Sequence, residues 1–332
     1  MQAMVLETQA AAETSPLVLR ALPDPVPGSG ELLLAVEACG VCRTDLHIVE
    51  GDLPLHKRPI VPGHEIVGRV QACGPNVTAF SPGDRVCVPW LYATCGACRY
   101  CRHGHENLCE QAQFTGWDVD GGYASHVVTR ADFTYRLPTG MDPVSAAPLL
   151  CAGVIGFRSL RLAGAQQVQR LGLYGFGGSA HIALQVARHW GCDVYVFTRG
   201  ASHRQLATDL GAVWTGSPED TPPVRLDAAV VFAPAGQIVP LALQAVDKGG
   251  TVVCAGIHMS PIPQMRYELL YHERVLRSAA NSTTDDVRDL LAVAAEVPVR
   301  TEVTPFALTA ANDALQRLKA SEINGAAVLV PG

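Results

Sequence analysis

Four cysteines lie within fifteen residues of one glycine-rich, charged stretch, at positions Cys95, Cys98, Cys101 and Cys109. Thiolates are soft ligands, and four of them at these spacings can surround one Zn²⁺ tetrahedrally and leave no position for water. A closed site of this kind is structural, because it shapes a lobe of chain and does no chemistry itself. The other interpretation is four ordinary buried or paired cysteines, but neutral thiols seldom cluster at metal spacing on a polar loop. The spacing therefore predicts a structural zinc site.

A second group of possible ligands is spread along the chain. Cys42 lies in the segment that runs from Cys39 to His47, His64 stands between a glycine and a glutamate, and Cys151 is followed by Ala-Gly. Because these residues are far apart in sequence, their spacing alone does not show that they converge.

A glycine-rich turn is the third chemical feature. It comprises Gly175, Gly177, Gly178 and Ala180, follows a strand-like run at 171–174 and opens a helical pattern at 182–188. Glycines permit a tight turn and a close backbone approach, and a helix N-terminus offers N–H groups to a pyrophosphate. The context predicts a dinucleotide-binding turn, with Ala180 in place of the third glycine.

The elements that must position these residues fall into three stretches. Residues 1–147 contain short strand patterns, such as 32–36 and 66–70, between Pro-Gly turns, which indicates a β-rich domain. Between 148 and 277, strand candidates alternate with helical patterns, which predicts βαβ units and a parallel sheet. The strand candidates there are 171–174, 194–197, 228–232 and 251–255, and the last stretch carries a helix candidate at 285–296 and a strand candidate at 326–330.

Bulk composition narrows the class of protein. The 332 residues suggest about two domains, and a net charge of −6 without a basic run argues against a nucleic-acid partner. We see no signal-peptide pattern at the N-terminus and no apolar run of membrane-spanning length. Eleven clustered cysteines fit metal binding in a reducing compartment better than a disulfide scaffold, so we expect a cytoplasmic location without a membrane partner.

Taken in order, these motifs make the chain similar to the zinc-dependent medium-chain alcohol dehydrogenases, most of all to their yeast-type and bacterial branch. The resemblance implies an α/β fold in which a β-rich GroES-like catalytic domain is combined with a Rossmann domain built on a doubly wound parallel sheet. We expect residues 1–147 and 278–332 to form the catalytic zinc-binding domain and residues 148–277 the dinucleotide-binding domain. It also implies a homo-oligomer, commonly a dimer or tetramer.

The resemblance further implies that Cys42, His64 and Cys151 hold a catalytic zinc with one open position, at which an alcohol is activated for hydride transfer to a nicotinamide. Cys39 competes with Cys42 for this role, and in the family pattern the second cysteine is the ligand. A lone histidine is more commonly a hydrogen-bonded loop residue, but between Gly63 and Glu65, in the company of these motifs, the ligand role is favoured for His64. Asp45 is expected to accept the other N–H of His64.

Four further residues receive roles by the same resemblance. Glu65 is expected just behind the metal, with a structural salt bridge as an equal alternative. Thr44, then the ribose hydroxyl of the cofactor and then His47 are expected to relay the alcohol proton, although an exposed histidine without a role would look the same as His47. Arg43 is expected at the cofactor pyrophosphate, although a surface arginine would look the same in sequence.

Two departures from the family pattern concern the cofactor. Where an NAD enzyme carries Asp or Glu for the ribose 2′-hydroxyl, this chain has Thr198 and Arg199, which suit a 2′-phosphate. NADP(H) is therefore modestly favoured over NAD(H), with the alternative that Arg199 points to solvent. The second departure is that no arginine stands directly before the last strand candidate at 326–330, where family members often carry one for a phosphate. Arg43 and the glycine turn would therefore carry more of the pyrophosphate binding.

The substrate is expected to be a small uncharged alcohol or aldehyde. By resemblance, Trp90 and Trp117 would line an apolar pocket over the zinc. The alternative is that these rings are simply part of the core, and for the nearby Tyr92 this alternative is at least as good. An NADPH-dependent aldehyde reductase on the same scaffold is the nearest rival function. A non-catalytic, zinc-stabilised redox sensor is a distant one, because such a protein would be expected to lack one of the open-site ligands.

Overall fold

The computed structural model describes residues 1–297, 299–323 and 325–332. The chain forms two compact units, one made of Met1–Cys151, Asn281–Ala295 and Arg300–Gly332, the other of Ala152–Ala280 and Glu296–Val299. Across the described residues, all eleven cysteines are free of disulfide bonds.

The strands and helices are as follows. The strands are β1 (Gln2–Leu6), β2 (Leu17–Ala21), β3 (Glu31–Val41), β4 (Glu65–Cys73), β5 (Arg85–Val88), β6 (Leu91–Ala93), β7 (Gln113–Phe114), β8 (His126–Arg130), β9 (Tyr135–Arg136), β10 (Arg170–Tyr174), β11 (Asp193–Phe197), β12 (Trp214–Gly216), β13 (Leu226–Val231), β14 (Val246–Cys254), β15 (Val275–Ser278), β16 (Val303–Ala307) and β17 (Ala326–Val330). The α-helices are α1 (Arg43–Glu50), α2 (Arg99–Arg102), α3 (Pro143–Ala146), α4 (Ala152–Leu162), α5 (Gly178–His189), α6 (Ala201–Asp209), α7 (Ile238–Ala245), α8 (Thr284–Glu296) and α9 (Ala311–Lys319).

The first unit is built around a seven-stranded sheet in the order β16-β17-β3-β4-β5-β9, with β8 also paired to β3. Alternate residues of β3, among them Leu32, Leu34 and Val36, are buried, as expected for a strand with one face on a core. The β3–β4 pairing is antiparallel and brings Gly40 opposite Glu65. The pairing thus places the end of β3, which precedes Cys42, next to the start of β4, which follows His64.

The second unit contains a six-stranded parallel sheet in the order β12-β11-β10-β13-β14-β15. The order reverses between β10 and β13, and such a switch point leaves a crevice at the carboxyl ends of the strands, where ligands of open α/β sheets bind. Together with the β-rich first unit, this parallel sheet confirms the predicted fold class.

An ion pair joins β10 and β13 at the start of these two strands. The Arg170 guanidinium lies 2.7 Å from Asp227, whose carboxylate also accepts the Arg170 backbone N–H. Burial raises the pKa of Asp227, but the hydrogen bonds and charge of Arg170 outweigh burial, so the pKa lies below its ordinary value. The pair therefore stabilises the central strands most when Asp227 is ionised.

The strand and helix candidates in the sequence are confirmed with small shifts at their ends. The candidate at 32–36 is the middle of a longer strand, β3, and those at 228–232 and 251–255 each end one residue earlier in the structure. No single helix in the described ranges is long and apolar enough to cross a membrane, although one bent pair, Pro143–Leu150 with Ala152–Leu162, passes the length and composition test.

Candidate functional site: two donor clusters and a dinucleotide turn

Cys42, His64 and Cys151 converge in the first unit. The Sγ atom of Cys42 lies 3.2 Å from Nε2 of His64 and 3.9 Å from Sγ of Cys151. A carboxylate oxygen of Glu65 belongs to the same cluster, in which all donor atoms lie within 4.8 Å of one another. Cys39 lies outside the cluster, because its buried thiol contacts its own strand at the Gly40 carbonyl. The structure thus brings together the three residues that the sequence singled out.

The start of α1 positions Cys42. Cys42 is the N-cap of this helix, and its thiol accepts the backbone N–H of Thr44 at 3.3 Å. Asp45 completes the capping box, since its Oδ2 accepts the Cys42 backbone N–H at 2.9 Å. The position of this ligand is therefore fixed by the same contacts that begin the helix.

Asp45 also orients the histidine ligand. Its Oδ1 accepts the Gly63 backbone N–H at 3.2 Å and lies 3.0 Å from Nδ1 of His64. Since a carboxylate accepts, the imidazole proton sits on Nδ1, and the lone pair of Nε2 faces the thiols. Asp45 and His64 are both fully buried, so solvent does not compete for this hydrogen bond.

The electrostatics of the cluster favour a cation. Burial raises the pKa of Glu65 to about 8, and the Cys151 thiol together with burial raises the pKa of Cys42 well above its ordinary value. For His64, burial lowers the pKa, but Asp45 and Cys42 together raise it by more than burial lowers it. The net pKa of His64 is therefore well above its ordinary value. A set of two partly buried thiols, a buried imidazole and a buried carboxylate is the donor chemistry that Zn²⁺ prefers, and a zinc ion fits it.

The four-cysteine lobe forms a second cluster. Sγ atoms lie 3.5 Å apart in the pairs Cys98–Cys101 and Cys95–Cys109, and all four lie within 4.8 Å of one another. Backbone N–H groups point at the sulfurs, for example from Cys98 to Cys95 at 3.3 Å. Hydrogen bonds from the backbone N–H groups of Ala97 and Cys98 lower the pKa of Cys95 to about 6. This cluster fits a zinc ion with four thiolate ligands and no open position.

The predicted relay and pyrophosphate residues lie on α1, next to Cys42. Thr44 is buried, and His47 is partly exposed with Nδ1 2.7 Å from the Asp52 carboxylate. That contact places the Nδ1 proton toward Asp52 and the acceptor lone pair on Nε2. Arg43 is exposed, and its guanidinium donates to the Ser321 hydroxyl at 3.4 Å.

An aromatic array extends outward from His64. The Trp90 ring meets the His64 ring edge-on at 4.7 Å between centroids and stacks on Phe114 at 4.9 Å and on Trp117 at 5.9 Å. His56 stacks on Trp117 at 4.0 Å. Trp90 therefore contacts a member of the donor cluster directly, whereas Trp117 stacks with other rings.

Tyr92 has a different environment from the two tryptophans. Its side chain is buried and its hydroxyl donates to Glu31 at 3.0 Å. Burial raises the pKa of Tyr92 to about 12. These contacts hold Tyr92 against the start of β3, which agrees with the interpretation of Tyr92 as a core residue.

The glycine-rich turn lies between β10 and α5 in the second unit. Gly175 has φ +88° and would press a Cβ against Ala233, whereas a Cβ on Gly177 would meet open space. The backbone carbonyl of Gly177, the N-cap of α5, accepts the His181 N–H at 3.1 Å. The N–H groups before His181 have no intrahelical partner by the geometry of a helix start, so they can bind an anion. Ala180 is fully buried, and this turn fits a dinucleotide pyrophosphate.

The end of β11 carries the residues expected to choose the cofactor. Thr198 is buried, and its backbone N–H donates to the Gly216 carbonyl at 2.7 Å. Arg199 projects from the surface with its side chain 68% exposed and lies 3.0 Å from Glu219. Arg204 donates to the Thr198 carbonyl at 2.8 Å. The guanidinium expected to meet a phosphate is thus already paired with a carboxylate.

Several residues of these sites were not found by sequence reasoning. Phe114 and His56 extend the aromatic array, Asp52 holds His47, and Glu219 holds Arg199. No motif marks them, since Phe114 lies on the two-residue strand β7 and the other three residues lie on turns or loops. A carboxylate five residues after His47 was the one available signal.

Comparison with known proteins decides the family. Residues 28–139 match the family described as alcohol dehydrogenase GroES-like domain, and residues 178–296 match the zinc-binding dehydrogenase family. A Mycobacterium tuberculosis protein described as "Probable alcohol dehydrogenase AdhA" is 49% identical over 324 residues, which are 96% of this chain and 94% of that protein. The chain belongs to the zinc-dependent medium-chain alcohol dehydrogenase family.

Solved structures of similar proteins share the whole fold. The acetophenone reductase of Geotrichum candidum in complex with NAD aligns with a TM-score of 0.87 at 27% identity, over 99% of this chain and 96% of that one. A Sinorhizobium meliloti protein classed as a zinc-binding dehydrogenase, bound to NADP, aligns with a TM-score of 0.88 at 25% identity, over 99% of both chains. This alcohol dehydrogenase is therefore an oxidoreductase that transfers hydride between an alcohol and a nicotinamide cofactor.

Proposed function

We propose that this enzyme interconverts small uncharged alcohols with their aldehydes or ketones and prefers NADP(H) to NAD(H). The observation that carries the proposal is the convergence of Cys42, His64 and Cys151 in one partly buried cluster. We assign catalysis to residues 1–147 with 278–332, and cofactor binding to residues 148–277.

Two zinc ions per chain are proposed. Cys42, His64 and Cys151 would hold the catalytic ion, and Cys95, Cys98, Cys101 and Cys109 the structural one. A zinc ion with an open position acts as a Lewis acid, which lowers the pKa of an alcohol so that hydride can leave its carbon. Glu65 is buried within the same cluster, and we assign it a place just behind the metal ligands, where a bound cation would favour its ionised form.

The chain's own residues position the ligands and move the proton. Asp45 keeps the Nδ1 proton of His64 in place, so that Nε2 remains a ligand atom. Thr44, two residues after Cys42, can accept the alcohol proton with its hydroxyl and donate its own. His47, held at Nδ1 by Asp52, can take up the proton at Nε2 and release it to solvent.

The cofactor assignment depends on the turn after β10 and the end of β11. Gly175, Gly177, Gly178 and Ala180 are proposed to bind the pyrophosphate, and Arg43 is proposed as a further cofactor-binding residue. Thr198 and Arg199 are proposed to bind the 2′-phosphate, because a hydroxyl and a guanidinium suit a phosphate and repel nothing on it.

The substrate pocket is proposed to include Trp90 and Trp117. Trp90 is 8% exposed and contacts the ring of His64, so an apolar wall lies against the donor cluster. Such a wall favours uncharged alcohols over charged acids or sugars.

We further propose that the enzyme is a cytoplasmic homo-oligomer. β15 is the edge strand of the parallel sheet, and large apolar side chains are exposed on or before it, namely Val275, Tyr271 and Tyr267. An exposed edge strand with apolar neighbours is a surface that a second copy can cover.

The test is the initial rate of absorbance change at the nicotinamide band, with benzyl alcohol and either NAD⁺ or NADP⁺. A higher kcat/KM with NADP⁺ supports the site at Thr198 and Arg199 and makes aldehyde reduction with NADPH the favoured direction. A clear NAD⁺ preference overturns the cofactor assignment, and no turnover with either cofactor across a panel of uncharged alcohols and aldehydes overturns the substrate class.

A further inference from the structure

The carboxyl ends of β11 and β12 bring a positive and a negative side chain together. β11 pairs in parallel with β12, with Phe197 opposite Gly216. Parallel strands end at the same edge of a sheet, so the residues that follow each strand become neighbours. Arg199 follows β11 and Glu219 follows β12, and their guanidinium and carboxylate lie 3.0 Å apart.

In this ion pair, Glu219 occupies the Arg199 guanidinium, which is the group that the proposed 2′-phosphate site needs. Arg204, the nearby guanidinium, donates to the backbone carbonyl of Thr198, whereas Arg199 is the guanidinium at this strand end that faces a carboxylate. A phosphate must either displace Glu219 from Arg199 or bind beside its negative charge. Both side chains are well exposed, at 68% and 57%, and an exposed ion pair is weak enough for a phosphate to displace.

We propose that Glu219 is a specificity-determining residue that weakens the binding of 2′-phosphorylated cofactors by competing for Arg199. This inference rests on the proposed NADP(H) site. A 2′-hydroxyl carries no charge, so Glu219 disfavours NADP(H) selectively and narrows the preference that Thr198 and Arg199 create. The enzyme is thereby kept able to use both cofactors.

The test measures binding rather than turnover. Isothermal titration calorimetry on the zinc-loaded enzyme compares 2′,5′-ADP with 5′-AMP, which differ by the 2′-phosphate alone. Glu219→Gln is expected to tighten 2′,5′-ADP by about fivefold, the scale of one exposed ion pair, and to leave 5′-AMP within about twofold. Glu268→Gln is the matched control, because Glu268 forms an exposed ion pair with Arg266 at the same 3.0 Å distance, and it should change neither ligand.

Arg199→Gln separates this inference from the function on which it rests. If Arg199→Gln leaves the affinity for 2′,5′-ADP unchanged, the phosphate site at Arg199 is wrong, and the role of Glu219 falls with it. If Arg199→Gln weakens 2′,5′-ADP but Glu219→Gln does not tighten it, the competition alone is overturned. In the double variant, the gain from Glu219→Gln should shrink to under about twofold, since the competed cation is gone; a full gain there also overturns the competition.

Discussion

Replacing Asp45 by Asn tests whether this one carboxylate links the start of α1 to the metal cluster. Asp45 accepts three hydrogen bonds, from His64 and Gly63 at Oδ1 and from the Cys42 backbone at Oδ2. An asparagine can keep the bonds at Oδ1, but its NH₂ group then faces the Cys42 N–H. One buried donor is left without an acceptor, which costs about 1–3 kcal/mol of unfolding free energy.

The same change weakens the hold on zinc. Without the carboxylate charge, His64 is a poorer donor, and loss of such an outer partner typically lowers metal affinity by about 10–100-fold. That range corresponds to about 1.4–2.7 kcal/mol. The assay is competition between the purified variant and a series of chelators, read with a colorimetric zinc indicator, beside chemical denaturation for stability. We expect Asp45→Asn to lose the zinc of the cluster that contains His64 to weaker chelators than the wild type does, while the four-cysteine site keeps its ion.

Asp118→Asn is the control. Asp118 also pairs with a histidine, His56, at 2.7 Å, but neither residue belongs to a donor cluster. Its zinc affinity should equal that of the wild type. If Asp45→Asn behaves like this control in zinc affinity and kcat, Asp45 does not orient a metal ligand and the assignment is refuted.

Two further predictions concern the two donor clusters and the sheet. Cys42→Ser should abolish turnover in a folded protein, whereas Cys98→Ser should first lower the Tm or the fraction of folded protein; turnover that persists in Cys42→Ser contradicts the catalytic-zinc assignment. Asp227→Asn should lower the unfolding free energy by about 1 kcal/mol at neutral pH, a modest value because the ion pair with Arg170 is partly exposed. Because the folded-state pKa of Asp227 is depressed, this stabilisation is present above the ordinary pKa and is lost as pH falls through the folded value. A difference in unfolding free energy between the two proteins that does not shrink as the pH falls through the acidic range would contradict this origin.

The sequence was most informative where local chemistry is encoded in spacing. The four cysteines at 95–109 and the glycine turn at 175–180 are each built within one short segment, so their donors or N–H groups could be placed without a fold. Buried strands were equally accessible, because β10 and β11 each continue as four buried, non-charged residues after a charged first residue. Strand ends shifted by a residue or more, since hydrogen bonding in the sheet rather than hydropathy determines where a strand stops.

Contacts between loops could not be read from the sequence. Glu219 follows a different strand from Arg199, and only the pairing of β11 with β12 makes the two neighbours. Likewise, the stacking of His56 on Trp117 depends on a turn that carries no strong signal in either segment. For Arg199 the sequence left two environments open, phosphate or solvent, and the structure adds a third, a carboxylate.

The convergence of Cys42 and His64 follows from how the chain begins α1. Cys42 directly follows the long strand β3 and caps α1, while His64 immediately precedes β4, which pairs with β3 in antiparallel fashion. This pairing returns the chain to the level of Cys42, and the capping carboxylate of Asp45 reaches across to Gly63 and His64. Helix capping and ligand orientation are thus performed by one buried side chain. A substitution that weakens the start of α1 should therefore also weaken the orientation of His64, even when it replaces no metal ligand.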